Sequence, residues 1–439
     1  MLLKCQFSTQ HIIFWDDIFN LTVEHILGII DVTTETADVL ATIVFSKLEE
    51  QHLSLKKMVA VGRDGPNVNI SLMNKVKEEA SKVSGGGVID YGSCVDHVAH
   101  NAFKAGLKQS PVDVGNLAVC LHGFFKHSVI RREEFAYDLI EIDEDHATFL
   151  RHVGSRWLSL EPCLERIDKN FPAIEKYFLR TLPTNANNGD KNAQEAMKTK
   201  YYELITGYLN KSECRFMIKM VVYVCKQFTP FLTKMQTSSP MITRLYNECS
   251  KLLFKVLTCF IKPTALPDKH DGKKLAQLDV KKENFALPKM SPSAETCFKA
   301  LTKNVQNMVI KNIFMMLQKS AIHLQKKMSP LQSNLLKYLR ALEPEFYENA
   351  TDFGKGDIVK AGKEFKCFSS ADIDALALQW ERFVELKFKR VETQRIDAFY
   401  GKHLKQLCSD SEGEDFSTLA RFIKTVLCMP SSNASVERG

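Results

Sequence analysis

Hydrophobic and polar positions change period several times along the first hundred residues. "HIIFW" (11–15) and "VEHILGIIDV" (23–32) are runs of β-branched and aromatic residues joined by a short polar link, which predicts an antiparallel strand pair. "TADVLATIVFSKLEEQ" has apolar residues three and four apart, which predicts a helix over 36–51. The chain therefore opens as two strands followed by a helix.

The next fifty residues repeat a strand and a helix twice. "KMVAVGRD" predicts a strand, "NVNISLMNKVKEEASKV" predicts a helix, and "SGGG" is a typical helix stop. "VIDYGSC" and "VDHVAHNAFKAGLK" predict another strand and another helix. The order β-β-α-β-α-β-α predicts an α/β domain with one mixed sheet, two right-handed crossovers and helices on both faces.

Helical periodicity dominates from about residue 111 onward. "CLERIDKNFPAIEKYFLRTL" and "ETCFKALTKNVQNMVIKNIFMMLQKSAIHLQKK" are examples. Three polar stretches interrupt this pattern, and we predict loops near 183–194, 262–293 and 343–370. The rest of the chain is predicted to be a helical bundle.

Charge is unevenly distributed along the chain. The 439 residues have 45% hydrophobic side chains and a formal charge of +7. Residues 262–327 hold thirteen lysines and five acidic residues, so this segment alone carries an excess of +8. Two interpretations are open: a polyanion such as nucleic acid, whose condensed counterions lysines displace, or a solvated lysine-rich linker and helix face, which is the simpler one.

The cysteines and the termini limit the class of protein. Twelve cysteines occur without a C-x-x-C pair, which argues against zinc fingers and predicts reduced structural thiols. We see no secretory signal and no apolar run long enough to cross a bilayer, so we expect an intracellular protein with no membrane partner. Common hydrolase and nucleotide-binding motifs do not occur.

Four short signatures occur in a recognisable order: "VGRDGPNVN", "CVDHVAHNAF", "HVGSRWLSLEPCLERI" and the terminal "MPSSNASVERG". Together they resemble transposases of the hobo/Ac/Tam3 (hAT) superfamily and proteins derived from them. The resemblance implies a ribonuclease H-like α/β core interrupted by a large all-α insertion. We expect an incomplete core over 1–110, the insertion over 111–425, and a return to the core with the start of a dimerisation region over 426–439.

The resemblance also implies metal-dependent DNA strand transfer by three carboxylates that hold Mg²⁺ or Mn²⁺. Asp64 matches the second aspartate and Glu437 matches the glutamate, whereas Asp-Gly turn chemistry is the alternative for Asp64. The first aspartate belongs on an opening strand ahead of "FSTQHIIFWDD", so we expect it to be missing. Asp16 and Asp17 are expected to be turn residues, not substitutes for it.

Two further motifs carry candidate residues. Cys94 and His97 match the family's C-x-x-H motif; a shared zinc ion would need two more ligands, so packing is the favoured interpretation. Arg156 and Trp157 match its R-W motif, for which the resemblance implies contact with DNA, an arginine to phosphate and a tryptophan stacked on a base. A capping arginine beside a buried tryptophan is the alternative.

We predict a domesticated, catalytically inactive, transposase-derived protein that needs no cofactor. It would retain weak DNA binding, self-association or protein binding, in the nucleus as the resemblance implies or in the cytoplasm. The Cys and His spacing of a zinc finger does not occur, so the sequence shows no motif for site-specific DNA recognition. An active metal-dependent nuclease and a protein-interaction module remain the alternatives.

Overall fold

A computed structural model of the chain describes ten stretches of it. They are residues 6–32, 36–63, 67–84, 88–141, 149–153, 159–237, 239–281, 284–391, 393–409 and 415–430. Asp64, Arg156, Trp157 and Glu437 lie outside these stretches.

The first hundred residues follow the predicted order of elements. The strands are β1 (Gln6–Asp16), β2 (Leu21–Val32), β3 (Ala60–Arg63) and β4 (Ile89–Ser93), and the helices are α1 (Ala37–Glu50), α2 (Asn67–Ser84) and α3 (Val95–Leu107). Thr36 begins α1, because its hydroxyl accepts a hydrogen bond from the Val39 amide at 3.4 Å. The order β-β-α-β-α-β-α is confirmed.

The strands form two sheets. β1 and β2 pair antiparallel from Gln6 opposite Val32 to Asp16 opposite Leu21, as predicted. β3 and β4 pair parallel across α2, as expected for one strand-helix-strand crossover. Among the described residues no ladder joins the two pairs, so the prediction of a single mixed sheet with two crossovers is wrong.

Different packing partners explain this separation. β3, α1 and α2 enclose a small core of Leu40, Ala41, Val61, Leu72, Val76, Ala80 and Val88. The β1–β2 hairpin contacts α1 through β2 and also attaches to the far end of the chain, where the Thr22 amide and hydroxyl donate to the buried Asp397 carboxylate at 3.0 Å and 2.6 Å. The hairpin is therefore held by helices, not by the edge of β3.

The remainder of the described chain is mostly helical, as predicted. The helices are α4 (Val114–Lys126), α5 (Val129–Glu141), α6 (Leu160–Lys169), α7 (Phe171–Lys176), α8 (Leu182–Asn187), α9 (Lys191–Met197), α10 (Lys200–Leu209), α11 (Cys214–Met235), α12 (Ile242–Thr258), α13 (Gly272–Gln277), α14 (Pro292–Lys299), α15 (Lys303–Lys327), α16 (Asn334–Leu339), α17 (Pro344–Tyr347), α18 (Lys355–Glu364), α19 (Ser370–Glu385), α20 (Ile396–Ser409) and α21 (Ser417–Leu427).

One large core runs through these helices and includes α3. Phe103 of α3 meets Phe228 of α11 edge to face, with ring centroids 5.7 Å apart. A Cβ at Gly106 would lie 2.6 Å from the Met316 carbonyl oxygen, so glycine lets α3 approach the backbone of α15 closely. α3 thus joins the small α/β unit to the helical unit.

The three predicted loops differ in outcome. Residues 183–194 are not a loop, because α8 and α9 occupy most of them. Residues 262–293 are largely irregular apart from α13 and the start of α14, which agrees with the prediction. Residues 343–370 contain α17 and α18, so the predicted loop there is wrong over much of its length.

The cysteines and the helix lengths bear on two further predictions. Eleven cysteines are described; all are free thiols and seven are buried. Burial raises the pKa of the Cys225 and Cys249 thiols well above the usual value, as is expected for structural cysteines. In the described part of the chain, no helix combines the length and the apolar character that a membrane span requires.

Candidate functional site

The carboxyl ends of β3 and β4 lie side by side. Arg63, the last residue of β3, pairs with Ser93, the last residue of β4. Asp64 follows Arg63 in the sequence and lies outside the described residues, whereas Cys94 follows Ser93 and leads into α3. The C-x-x-H motif therefore begins where β4 ends, beside the end of β3.

The first turn of α3 carries this motif. The Cys94 side chain is buried and its carbonyl oxygen accepts from the Val98 amide at 3.1 Å, so the helix starts at this residue. Asp96 is buried, and its charge contributes to the raised pKa of Cys249 in α12. His97 is half-buried. These side chains belong to the packed junction between α3 and its neighbours.

One carboxylate near this turn has a structural role. The Asp90 side chain of β4 accepts from the Gly92 amide at 2.9 Å and lies 3.1 Å from the Lys77 ammonium group. Gly92 has φ +98°, and a Cβ there would meet the Ser329 hydroxyl at 2.3 Å. The Asp90 carboxylate thus stabilises the end of β4 at a position where only glycine fits.

Two other imidazoles, those of His97 and His152, lie within electrostatic reach of His100 in α3. Burial lowers the pKa of His100 to about 4, with smaller contributions from the charges of Lys104, His97 and His152. Burial also lowers the pKa of His152, against the opposing effect of the Asp113 carboxylate. At neutral pH both His100 and His152 are therefore uncharged.

His152 also contacts Ser159 at the other end of the segment that carries the R-W motif. Its Nδ1 lies 3.0 Å from the Ser159 hydroxyl, and that hydroxyl accepts from the Val153 amide at 3.1 Å. Arg156 and Trp157 belong to the stretch 154–158 between these contacts and lie outside the described residues. The two ends of the R-W segment are therefore in contact with each other.

The structure thus brings together segments that are far apart in the sequence. The end of β3 adjoins Cys94 through the strand pair, and the charge of His152, at the edge of the R-W segment, contributes to the lowered pKa of His100. Sequence reasoning gave His152 no role, because this electrostatic effect links two elements and leaves no local spacing signal. The fourth signature, with Glu437, falls outside the described residues.

Metal binding finds no ligand set in the described part of the chain. There, no three side chains of histidine, cysteine, aspartate or glutamate are arranged to hold a metal ion. Cys94 and His97 therefore have no described partners with which to complete a zinc site. The two predicted magnesium ligands, Asp64 and Glu437, are not among the described residues.

The two expected turn aspartates behave as predicted. The Asp16 carboxylate accepts from the Ile18 and Phe19 amides at 2.8 Å and 3.0 Å, which is typical of a capped turn. Asp17 forms an ion pair with Lys424 of α21 at 2.6 Å. Both residues therefore serve the hairpin turn.

Known proteins add no assignment to this geometry. No protein-family model matches the chain, and no curated protein matches its sequence.

The low pKa of His100 predicts a pH-dependent stability. Unfolded His100 takes up a proton below about pH 6.5, whereas folded His100 stays neutral down to about pH 4. Wild-type stability should therefore fall as the pH drops through this window, by up to about tenfold in the unfolding equilibrium per pH unit for this proton. His100→Gln removes the linkage, so its stability relative to the wild type should rise from pH 6.5 to pH 4 in urea unfolding.

An exchange at an exposed histidine of β2, His25→Gln, controls for the substitution itself. A constant difference between His100→Gln and the wild type across the window would contradict the prediction.

Proposed function

We propose that this chain is a transposase-derived protein of the hAT type, with an incomplete ribonuclease H-like core and a large helical unit. In this proposal it does not catalyse strand transfer and it binds nucleic acid. Self-association or binding of a protein partner is the alternative mode of action.

The convergence of the sequence signatures supports the ancestry. The end of β3, which leads into Asp64, adjoins the start of α3 with Cys94, and His152 at the edge of the R-W segment acts electrostatically on His100 of the same helix. A shared ancestral site accounts for such an arrangement, because residues that act on one substrate must come together in the fold.

The strand directions support a core with a mixed sheet. The antiparallel β1–β2 pair and the parallel β3–β4 pair have the directions that a mixed sheet requires, yet among the described residues they are not joined. The resemblance implies an opening strand that carries the first catalytic aspartate.

Catalytic inactivity is proposed on the incomplete carboxylate set. The 439 residues match two of three metal ligands, Asp64 and Glu437, and two-metal catalysis needs all ligands placed to within a fraction of an ångström. The carboxylate of Asp16, the last residue of β1, accepts hydrogen bonds from two turn amides.

The test combines cleavage and binding in one preparation. The purified chain is incubated with a hairpin-forming DNA end and Mg²⁺ or Mn²⁺, while binding is followed by mobility shift at increasing salt. We expect salt-sensitive binding without cleavage, and weaker binding by Trp157→Ala. Cleavage that disappears in Asp64→Ala would overturn the proposed inactivity. No binding at low salt would overturn the proposed nucleic-acid function and favour a protein partner.

A further inference from the structure

Helix α15 carries positive charge with no compensating acid of its own. Its 25 residues include five lysines, Lys303, Lys311, Lys319, Lys326 and Lys327, and no aspartate or glutamate. All five are exposed, and none forms an ion pair with another described residue. By contrast Lys299, just before this helix, pairs with Glu295 at 2.8 Å.

Three of these lysines share one side of the helix. Lys311, Lys319 and Lys326, which we call the lysine face, lie within an arc of about 80° around the helix, because residues eight and seven apart are rotated by about 80° and −20° at 3.6 residues per turn. At 1.5 Å per residue they are spaced by ~12 Å and ~10.5 Å along the axis. Val309, Ile313, Leu317, Ser320 and Leu324 are buried on the other side.

The buried side of α15 is firmly held. The close approach of Gly106 brings α3 against its backbone. On its flank, the Gln325 side-chain amide donates to the carbonyl oxygens of Leu275 and Leu278 at 3.0 Å and 2.8 Å. Gln318 donates in the same way to the Val280 carbonyl oxygen at 3.1 Å. The lysine face therefore lies on a helix that is held in place by its packing. The spacing of the three lysines along the helix is set before any ligand binds.

We infer that the lysine face binds the phosphate backbone of double-stranded nucleic acid. The ~12 Å between Lys311 and Lys319 is similar to the width of the major groove of B-DNA, about 12 Å, so a helix that crosses the groove places one lysine at each phosphate wall. Binding is independent of base sequence, because ammonium groups act as point charges that contact phosphate and do not make bidentate base contacts. The inference rests on the nucleic-acid binding proposed above and assigns it to one surface.

The experiment neutralises the face without disturbing the core. The triple variant Lys311→Gln, Lys319→Gln, Lys326→Gln is compared with the wild type for binding to a random-sequence 20-base-pair duplex, by fluorescence anisotropy between 50 and 200 mM salt. If all three lysines contact phosphate, the slope of log K against log salt should become shallower by between about two and three, with a loss of about 100-fold or more in affinity near 0.1 M salt.

A matched control separates position from net charge. Lys56→Gln, Lys57→Gln, Lys191→Gln removes the same charge from exposed lysines on other elements that are in no described ion pair. This control should retain wild-type slope and affinity to within a few fold. Equal losses in the two triple variants would overturn the inference, because net charge and not the face would then control binding.

The remaining outcomes distinguish the surface from the proposed function. If the lysine-face variant binds the duplex as tightly as the wild type, the inference about this surface is overturned, whereas the proposed nucleic-acid binding stands. If the wild type does not bind the duplex but binds phosphatidylserine vesicles, both the inference about the lysine face and the proposed nucleic-acid binding are overturned. Thermal unfolding of the variant should match the wild type, since no described ion pair is lost.

Discussion

Glu343→Ala will lose on the order of 3–5 kcal/mol of the free energy of unfolding, which is the usual cost of removing one partner from a buried ion pair. The Glu343 side chain is only 6% exposed and neutralises two arginines. Its carboxylate accepts from Arg244 Nε at 2.7 Å, from Arg390 Nη1 at 2.9 Å and from the Thr243 hydroxyl. Without it, two guanidinium groups remain partly buried without this counter-charge.

The neighbouring Glu345 supplies a matched control. It also reaches Arg244, at 3.3 Å, but its side chain is 75% exposed. Glu345→Ala should therefore cost less than about 1 kcal/mol, as exposed pairs do. Urea unfolding at pH 7 measures both variants. Losses of similar size would show that burial does not set the strength of this network.

The contacts of Glu343 could not be predicted from the sequence. Thr243 and Arg244 begin α12, Glu343 precedes α17, and Arg390 lies between α19 and α20. The segment 343–370 has the polar composition of a loop, yet its first residue is one of the few buried charges in the described chain. Composition reports solvent preference on average and cannot show that two distant arginines bury one carboxylate.

Local pattern was sufficient where it was strong. The helix predicted over 36–51 is α1 (Ala37–Glu50), and the one predicted over 67–83 is α2 (Asn67–Ser84). Both have a clear 3.6-residue period next to alternating or β-branched strands, so the change of period marks their ends. The division of the four strands into two sheets could not be predicted, because it depends on distant contacts such as that of Thr22 with Asp397.

The error at 183–194 has a specific cause. The sequence "LPTNANNGDKNAQ" has the proline, asparagine and glycine content of a loop. However, Pro183 stands in the first turn of α8, and the Asp190 carboxylate caps α9 by accepting from the Asn192 amide at 2.7 Å. Turn-forming residues in this segment serve as helix starts, which the same composition equally permits.

The candidate site was predictable in part. The motif spacing located Cys94 and His97 at a strand end and a helix start, and the structure confirms that position. The electrostatic effect of His152 on His100 links two motifs that no local spacing connects. The roles of Asp64, Glu437, Arg156 and Trp157 stay predictions.

Asp397→Ala should release the β1–β2 hairpin from the helical unit. The Asp397 side chain is fully buried and receives Arg395 Nη2 at 2.6 Å in addition to the Thr22 amide and hydroxyl. Burial acts to raise the pKa of Asp397, but hydrogen bonds from Arg395 and Thr22 outweigh it and hold that pKa below its usual value. The anchor is therefore complete at neutral pH and weakens only as the pH falls below about 4.

The expected loss is about 3 kcal/mol at this anchor, at the low end for a buried pair, because Arg395 is 33% exposed and can be rehydrated. An isolated two-stranded hairpin is marginal in water. Amide hydrogen exchange in β1 and β2 should therefore accelerate at least tenfold, while the amides of α11 and α12 keep their protection. Asp17→Ala, which removes a pair whose carboxylate is 79% exposed on the same hairpin, should change exchange little.

Gly401→Ala tests the same attachment by a different physical effect. A Cβ at Gly401 of α20 would lie 1.9 Å from the Asn20 carbonyl oxygen at the hairpin turn, so the turn must move away. Since this oxygen belongs to the backbone, no side-chain rotation can relieve the clash. Loss of hairpin protection in both Asp397→Ala and Gly401→Ala would establish that α20 holds the first two strands. Loss in neither variant would mean that the hairpin is stabilised elsewhere, and attachment to α20 would then not be the reason that the strands form two separate sheets.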